Sequence, residues 1–87
     1  MDVLLPDSAR IRWQCRRGML ELDIMLLSFF DKVYETLPLE HQKNFVELLT
    51  FPDQTLYSWL IGQSQPDKDA LKILVQTIRA QRYTETI

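Results

Sequence analysis

Apolar residues recur along this chain at intervals of three and four, and no segment shows the two-residue alternation of a half-buried strand. The longest stripe is Leu22, Met25, Leu26, Phe29 and Val33, which predicts a helix from about Met19 to Glu35. Leu20, Ile24, Leu27 and Tyr34 widen that stripe well beyond one face, so this helix is expected at the centre of a bundle. Its polar positions, among them Glu21, Asp23, Asp31 and Lys32, gather towards its two ends. Upstream, Asp7 or Ser8 can cap a short helix in which Ile11 and Cys15, four apart, share the inner face. That helix is expected to end at Arg17, with Gly18 as the left-handed residue that closes it.

Downstream, a third helix is expected from Leu39 to Leu49, with Phe45, Leu48 and Leu49 turned inward. Pro52 opens a fourth, lined by Leu56, Trp59 and Leu60 and stopped by Gly62. Pro66 and Asp67 start a fifth, in which Leu71, Leu74, Val75 and Ile78 repeat at helical spacing. Arg79 and Arg82 are placed to complement the end of that helix, and residues from Tyr83 to Ile87 are expected to fray. The sum is an all-α fold, a small five-helix bundle with short connections. Residues 1–87 read as one domain with an ordered core over about 8–82.

The composition, 46% hydrophobic and 25% charged, is that of a globular protein. A formal net charge of -2 gives no overall case for nucleic acid or a membrane surface. The distribution is uneven, however. Arg10, Arg12, Arg16 and Arg17 fall together with no acid between them, and acids outnumber bases in the stretch that follows. The single cysteine, Cys15, allows no internal disulfide, which suits a reducing compartment. The opening residues Met1 to Pro6 lack the basic segment and long apolar run of a secretory signal. A soluble, cytoplasmic protein with no membrane insertion is the expectation.

Few residues suggest chemistry. His41 lies among Glu40, Gln42 and Lys43 and reads as a solvated surface side chain. Cys15 has arginines one and two places on, but its phase with Ile11 makes it a small buried hydrophobe. Glu21 and Asp23 would diverge by about 200° on a helix and cannot act as one acid/base pair. No catalytic residue and no metal site are expected. A nucleic-acid reading would use the Arg10-to-Arg17 arm for phosphates and Trp13 for stacking, against an acidic chain with no basic recognition helix.

The remaining feature is the junction Arg16-Arg17-Gly18-Met19-Leu20-Glu21-Leu22-Asp23. Gly18 permits a left-handed backbone and close approach by another chain. Arg17 offers a planar fork of donors suited to a carboxylate or phosphate, and Glu21 sits in a helical first turn, where a carboxylate is favoured. An ordinary helix stop with an Arg17–Glu21 surface pair explains the same residues. The residues themselves leave both readings open.

The run Arg12-Trp13-Gln14-Cys15-Arg16-Arg17-Gly18-Met19-Leu20-Glu21-Leu22-Asp23 resembles the signature of the SdhE family, also called YgfY, CptB or succinate dehydrogenase assembly factor 2. Its Arg-Gly-x-x-Glu core is matched by Arg17, Gly18 and Glu21. The likeness continues through Phe29-Phe30, the Phe45-to-Leu49 segment and Leu56-Tyr57-Ser58-Trp59-Leu60, covering about Ser8 to Arg82. Leu20 departs from the pattern, where a basic residue is familiar.

The resemblance implies a five-helix assembly factor rather than an enzyme. Such a protein binds the flavoprotein subunit of succinate dehydrogenase, and in bacteria that of fumarate reductase, and promotes covalent attachment of FAD to a histidine of that client. It implies no tightly bound cofactor, since the FAD belongs to the client. An antitoxin label borne by some members is the alternative, alongside nucleic-acid binding. On this reading the partner-binding residues are Arg17, Gly18 and Glu21, with Arg16, Asp23 and Arg12 around them. Arg17 would engage polar groups of the client, and Trp13 is expected in the core, with a rim contact as the alternative.

Overall fold

The computed structural model describes residues 7–85, with side chains from 7 to 81. It contains five α-helices: α1 (Ser8–Gln14), α2 (Leu20–Lys32), α3 (Leu39–Leu48), α4 (Asp53–Leu60) and α5 (Asp69–Glu85). A 3₁₀ turn, Tyr34–Thr36, joins α2 to α3, and no strand occurs among the described residues. The all-α expectation and the five helical segments are thus met. No helix among the described residues is long and apolar enough to cross a membrane.

The helix ends explain where the pattern misled. Asp7 caps α1, its Oδ1 accepting the Arg10 backbone N–H at 2.9 Å. That helix stops at Gln14, not Arg17, because the amides of Arg17 and Gly18 are taken by the Asp23 carboxylate instead of by the preceding turn. Gly18 has the left-handed φ of 82° expected of it, but it lies inside a connection and does not close the helix directly. α2 likewise ends at Lys32, short of Glu35. There the chain tightens: Thr36 Oγ1 donates to the Val33 carbonyl at 2.7 Å, and Gln42 Nε2 donates to that of Tyr34 at 3.0 Å. α5 begins at Asp69, two residues after the acidic residue proposed to start it. Since α5 runs on to Glu85, Arg79 does not sit in its last turn. Its guanidinium packs against Gly62, just past the C-terminal end of α4, so it complements that helix instead. The fraying expected from Tyr83 onward is not met at residues 83–85, which continue α5, and for residues 86–87 it lies outside the described residues.

One apolar core holds the helices together. α5 packs on α2, α3 and α4, and α2 packs on α5, α4 and the 3₁₀ turn, so the two share the centre expected of α2 alone. Leu22, Met25, Leu26, Phe29 and Phe30 bury one face of α2. Phe29 and Phe45 pack with ring centroids 5.6 Å apart, and Tyr34 meets Phe45 at 5.4 Å. The widened stripe is not all interior: Leu20 and Ile24, one turn apart, are 78% and 51% exposed. α1 joins the core through Ile11 and Cys15, both fully buried.

Candidate functional site

The α1–α2 connection is built around Asp23, in the first turn of α2. Its Oδ1 accepts the Arg17 backbone N–H at 2.7 Å and its Oδ2 accepts that of Gly18 at 3.2 Å. One carboxylate thereby fixes two successive peptide groups and turns the chain into the helix, where a negative charge is favoured. Gly18 follows with its positive φ, and an added Cβ there would meet nothing within 4 Å. Glycine is therefore needed for conformation and not for room. The bare backbone at the apex faces open space.

Arg17 anchors this corner to the connection between α3 and α4. Its Nε donates to the Gln14 carbonyl at 2.8 Å. Nη1 donates to the Phe51 carbonyl at 3.2 Å and to Asp53 Oδ1 at 3.0 Å, and Nη2 donates to the Leu49 carbonyl. These acceptors are the carbonyl-rich end of α3 and an acid in the first turn of α4. A cation is electrostatically favoured at such a helix C-terminus. The side chain is only 15% exposed. The fork that sequence reading offered to a partner is thus occupied inside the chain, and the carboxylate it engages is Asp53 instead of Glu21. The planar guanidinium suits this task because its donors leave in fixed, divergent directions.

Arg12 is also committed. It forms a two-point pair with Asp31, Nε to Oδ1 at 2.9 Å and Nη2 to Oδ2 at 3.0 Å, tying α1 to the last turn of α2. Hydrogen bonding from Arg12 holds the Asp31 carboxyl below its ordinary value, and the same bond raises the guanidinium. Asp23, expected at the rim of a binding surface, uses both oxygens on backbone amides. Glu21 is half-buried in the first turn of α2. Arg16 is exposed, its guanidinium 5.8 Å from the centroid of the Trp13 ring.

Trp13 corrects the expectation of a core residue: it is 69% exposed. The phase of α1 explains this, since Ile11 and Cys15 define the inward face and Trp13 lies about 200° from either. With Arg16, Arg17, Val46, Leu49 and Thr50 it lines a groove of about 340 Å³ between the α1 end and α3. Val46 and Thr50 carried no signal in the sequence, because a helix face gives no indication of which distant segment shares a surface with it.

Catalytic chemistry finds little support in the surroundings. Burial pushes the Cys15 thiol up to about 12, outweighing Arg17 and Arg12, and its Sγ lies 3.5 Å from the Ile11 carbonyl. A thiol in that state is neither nucleophile nor ligand at neutral pH. His41 is exposed on the rim of a second groove, between α3 and α5. Among the described residues no three His, Cys, Asp or Glu side chains gather as a metal site would require.

Residues 9–82 match the family Sdh5, described as "Flavinator of succinate dehydrogenase". A relative named FAD assembly factor SdhE from Photobacterium profundum is 40% identical over 74 residues, covering 85% of this chain and 84% of the relative. The protein of the same name from Coxiella burnetii is 42% identical over 72 residues, covering 83% and 88%. The solution structure of a UPF0350 protein superimposes with a TM-score of 0.74 at 37% identity, covering 90% of this chain and 83% of that one. The Arg17–Gly18–Glu21 corner therefore sits in a chain of matching length, sequence and fold, and the chain belongs to the SdhE family of succinate dehydrogenase flavinators.

Proposed function

We propose that this protein binds the flavoprotein subunit of succinate dehydrogenase and promotes covalent attachment of that subunit's FAD. The fumarate reductase flavoprotein is a second client on the same reading. The protein acts as a cytoplasmic assembly factor. FAD and the residue that receives it belong to the client, and this chain contributes by holding the client in a reactive arrangement.

The observation that carries this reading is the shape of the corner. Asp23 and Arg17 face inward and fix the backbone, so the exposed apex consists of Gly18, with exposed Arg16 before it and half-buried Glu21 after it. A rigid, glycine-tipped projection is suited to enter a partner's cleft, because no rotamer freedom is lost at its tip. The four arginines of the arm do not form a phosphate-binding stripe. Arg12 and Arg17 are committed within the chain, in a protein of net charge -2, and this favours a protein partner over nucleic acid.

Co-expression of the flavoprotein with Glu21→Ala or Gly18→Arg tests the proposal. Covalent flavin, read by fluorescence in a denaturing gel, falls at least about tenfold with either variant if the apex docks, a loss in keeping with the removal of a central interface contact. Undiminished covalent flavin with a folded Gly18→Arg protein refutes docking by the corner.

A further inference from the structure

The groove beside the corner has features that the apex does not explain. Trp13 is exposed at one edge, although a large aromatic surface in water is costly. Val46, half-buried, comes from α3, and buried Leu49 and exposed Thr50 come from the turn that follows it. No acidic side chain lines the groove, in a chain whose acids outnumber its bases by 12 to 10.

Its cations divide by role. Arg17 is held by Gln14, Leu49, Phe51 and Asp53, and therefore shapes the groove without offering charge to a visitor. Arg16 meets no carboxylate among the described residues, and its guanidinium lies over the face of Trp13. That contact leaves the edge of the guanidinium, with its paired donors, available to a planar acceptor. An arginine stacked on an exposed tryptophan, next to a small apolar side chain on fixed backbone, combines the two residue types that dominate protein binding energy.

We propose that this groove receives an acidic segment of the flavoprotein subunit. A carboxylate of that segment pairs with Arg16, and an adjacent apolar or aromatic side chain lies against Trp13 and Val46. This rests on the docking reading above and extends it from the α1–α2 apex to α3. A carboxylate fits better than a nucleic-acid backbone, since a single unpaired arginine in the groove neutralises one charge and a phosphate chain presents many.

The test is the affinity of the purified chain for the flavoprotein subunit before flavin attachment, by biolayer interferometry at two salt concentrations. Arg16→Glu and Thr50→Glu are the informative variants, because both side chains are exposed and circular dichroism should show the helices intact. The wild-type chain binds, each variant weakens binding by at least about tenfold, and Arg16→Gln flattens the salt dependence. Trp13→Phe retains more affinity than Trp13→Ala. Full affinity in both glutamate variants, with Gly18→Arg still inactive, overturns the groove and leaves the apex standing. A wild-type chain that fails to bind the subunit overturns the docking reading and this one together. Retention on duplex DNA that Arg16→Glu abolishes makes nucleic acid the occupant and likewise overturns the proposal.

Discussion

Two connections in this protein turn on a glycine of nearly the same conformation, and they are put to opposite uses. Gly18 has φ 82° and Gly62 has φ 88°. At Gly62 an added Cβ would come within 2.8 Å of the Arg79 guanidinium, so the turn closes α4 against α5. At Gly18 the same atom would meet nothing within 4 Å. Backbone strain is common to both, and only the neighbours differ. The comparison teaches that a left-handed glycine is not evidence of function. What marks Gly18 is that Arg17 and Asp23 hold its flanks from behind while its own face stays bare.

The strongest way to break this contrast is to remove what holds the corner. Arg17→Ala strands the carbonyls of Leu49 and Phe51 and the carboxylate of Asp53. It should lower stability by about 2–3 kcal/mol in chemical denaturation, since several part-buried acceptors lose a charged donor at once. Arg17→Lys should recover only part of that loss, because one ammonium cannot reach acceptors that a planar fork spans. If Arg17→Ala leaves stability unchanged, the side chain is not the anchor described here.

Alanine at the two glycines sharpens the comparison at intermediate size. Gly18→Ala should cost about 1 kcal/mol, the price of a left-handed alanine. Gly62→Ala should cost roughly 0.5–1 kcal/mol more, because Arg79 must also move aside; its flexible end keeps the increment small. At this chain length each kcal/mol corresponds to roughly 4–8 °C in Tm, so calorimetry resolves the difference. Equal losses at the two sites would remove the packing distinction between them.

The smallest effect belongs to the Arg12–Asp31 pair, which ties the last turn of α1 to the far end of α2. Asp31 has a folded-state pKa below its ordinary 3.8, so its contribution to stability is present above that value and is lost as pH falls through the lowered one. Asp31→Asn should therefore flatten the acid limb of stability below about pH 4 and leave its slope near neutrality unchanged. Both partners are about half exposed, so the effect is modest and should shrink in high salt.

Much of this architecture was legible in the periodicity of the chain. All five helices fall where their stripes predicted, and Ile11, Cys15, Leu22, Phe29, Phe45, Leu56 and Ile78 are buried as their spacing required. Boundaries failed where a side chain replaced a backbone partner, as Asp23 does at the end of α1. Trp13 went wrong for an instructive reason: its hydrophobicity argued for the core while its helical phase argued for solvent, and phase won. The candidate site was legible as a motif, through Arg17, Gly18 and Glu21, but the motif did not say what its arginine does. Apart from the nearby Gln14 carbonyl, the acceptors of Arg17 lie 32 to 36 residues away in sequence, and two of those three are backbone carbonyls whose position no side-chain pattern encodes.

The most direct test of the contrast uses asparagine, which tolerates a left-handed backbone better than other side chains do. Gly18→Asn and Gly62→Asn are each co-expressed with the succinate dehydrogenase flavoprotein, and covalent flavin is measured per molecule of folded assembly protein. Gly62→Asn should lower the melting temperature yet support wild-type flavin attachment. Gly18→Asn should melt close to wild type and lose most of that attachment, because a side chain now stands on the bare apex. Full flavin attachment with Gly18→Asn would mean that nothing approaches the apex closely, and would contradict the account.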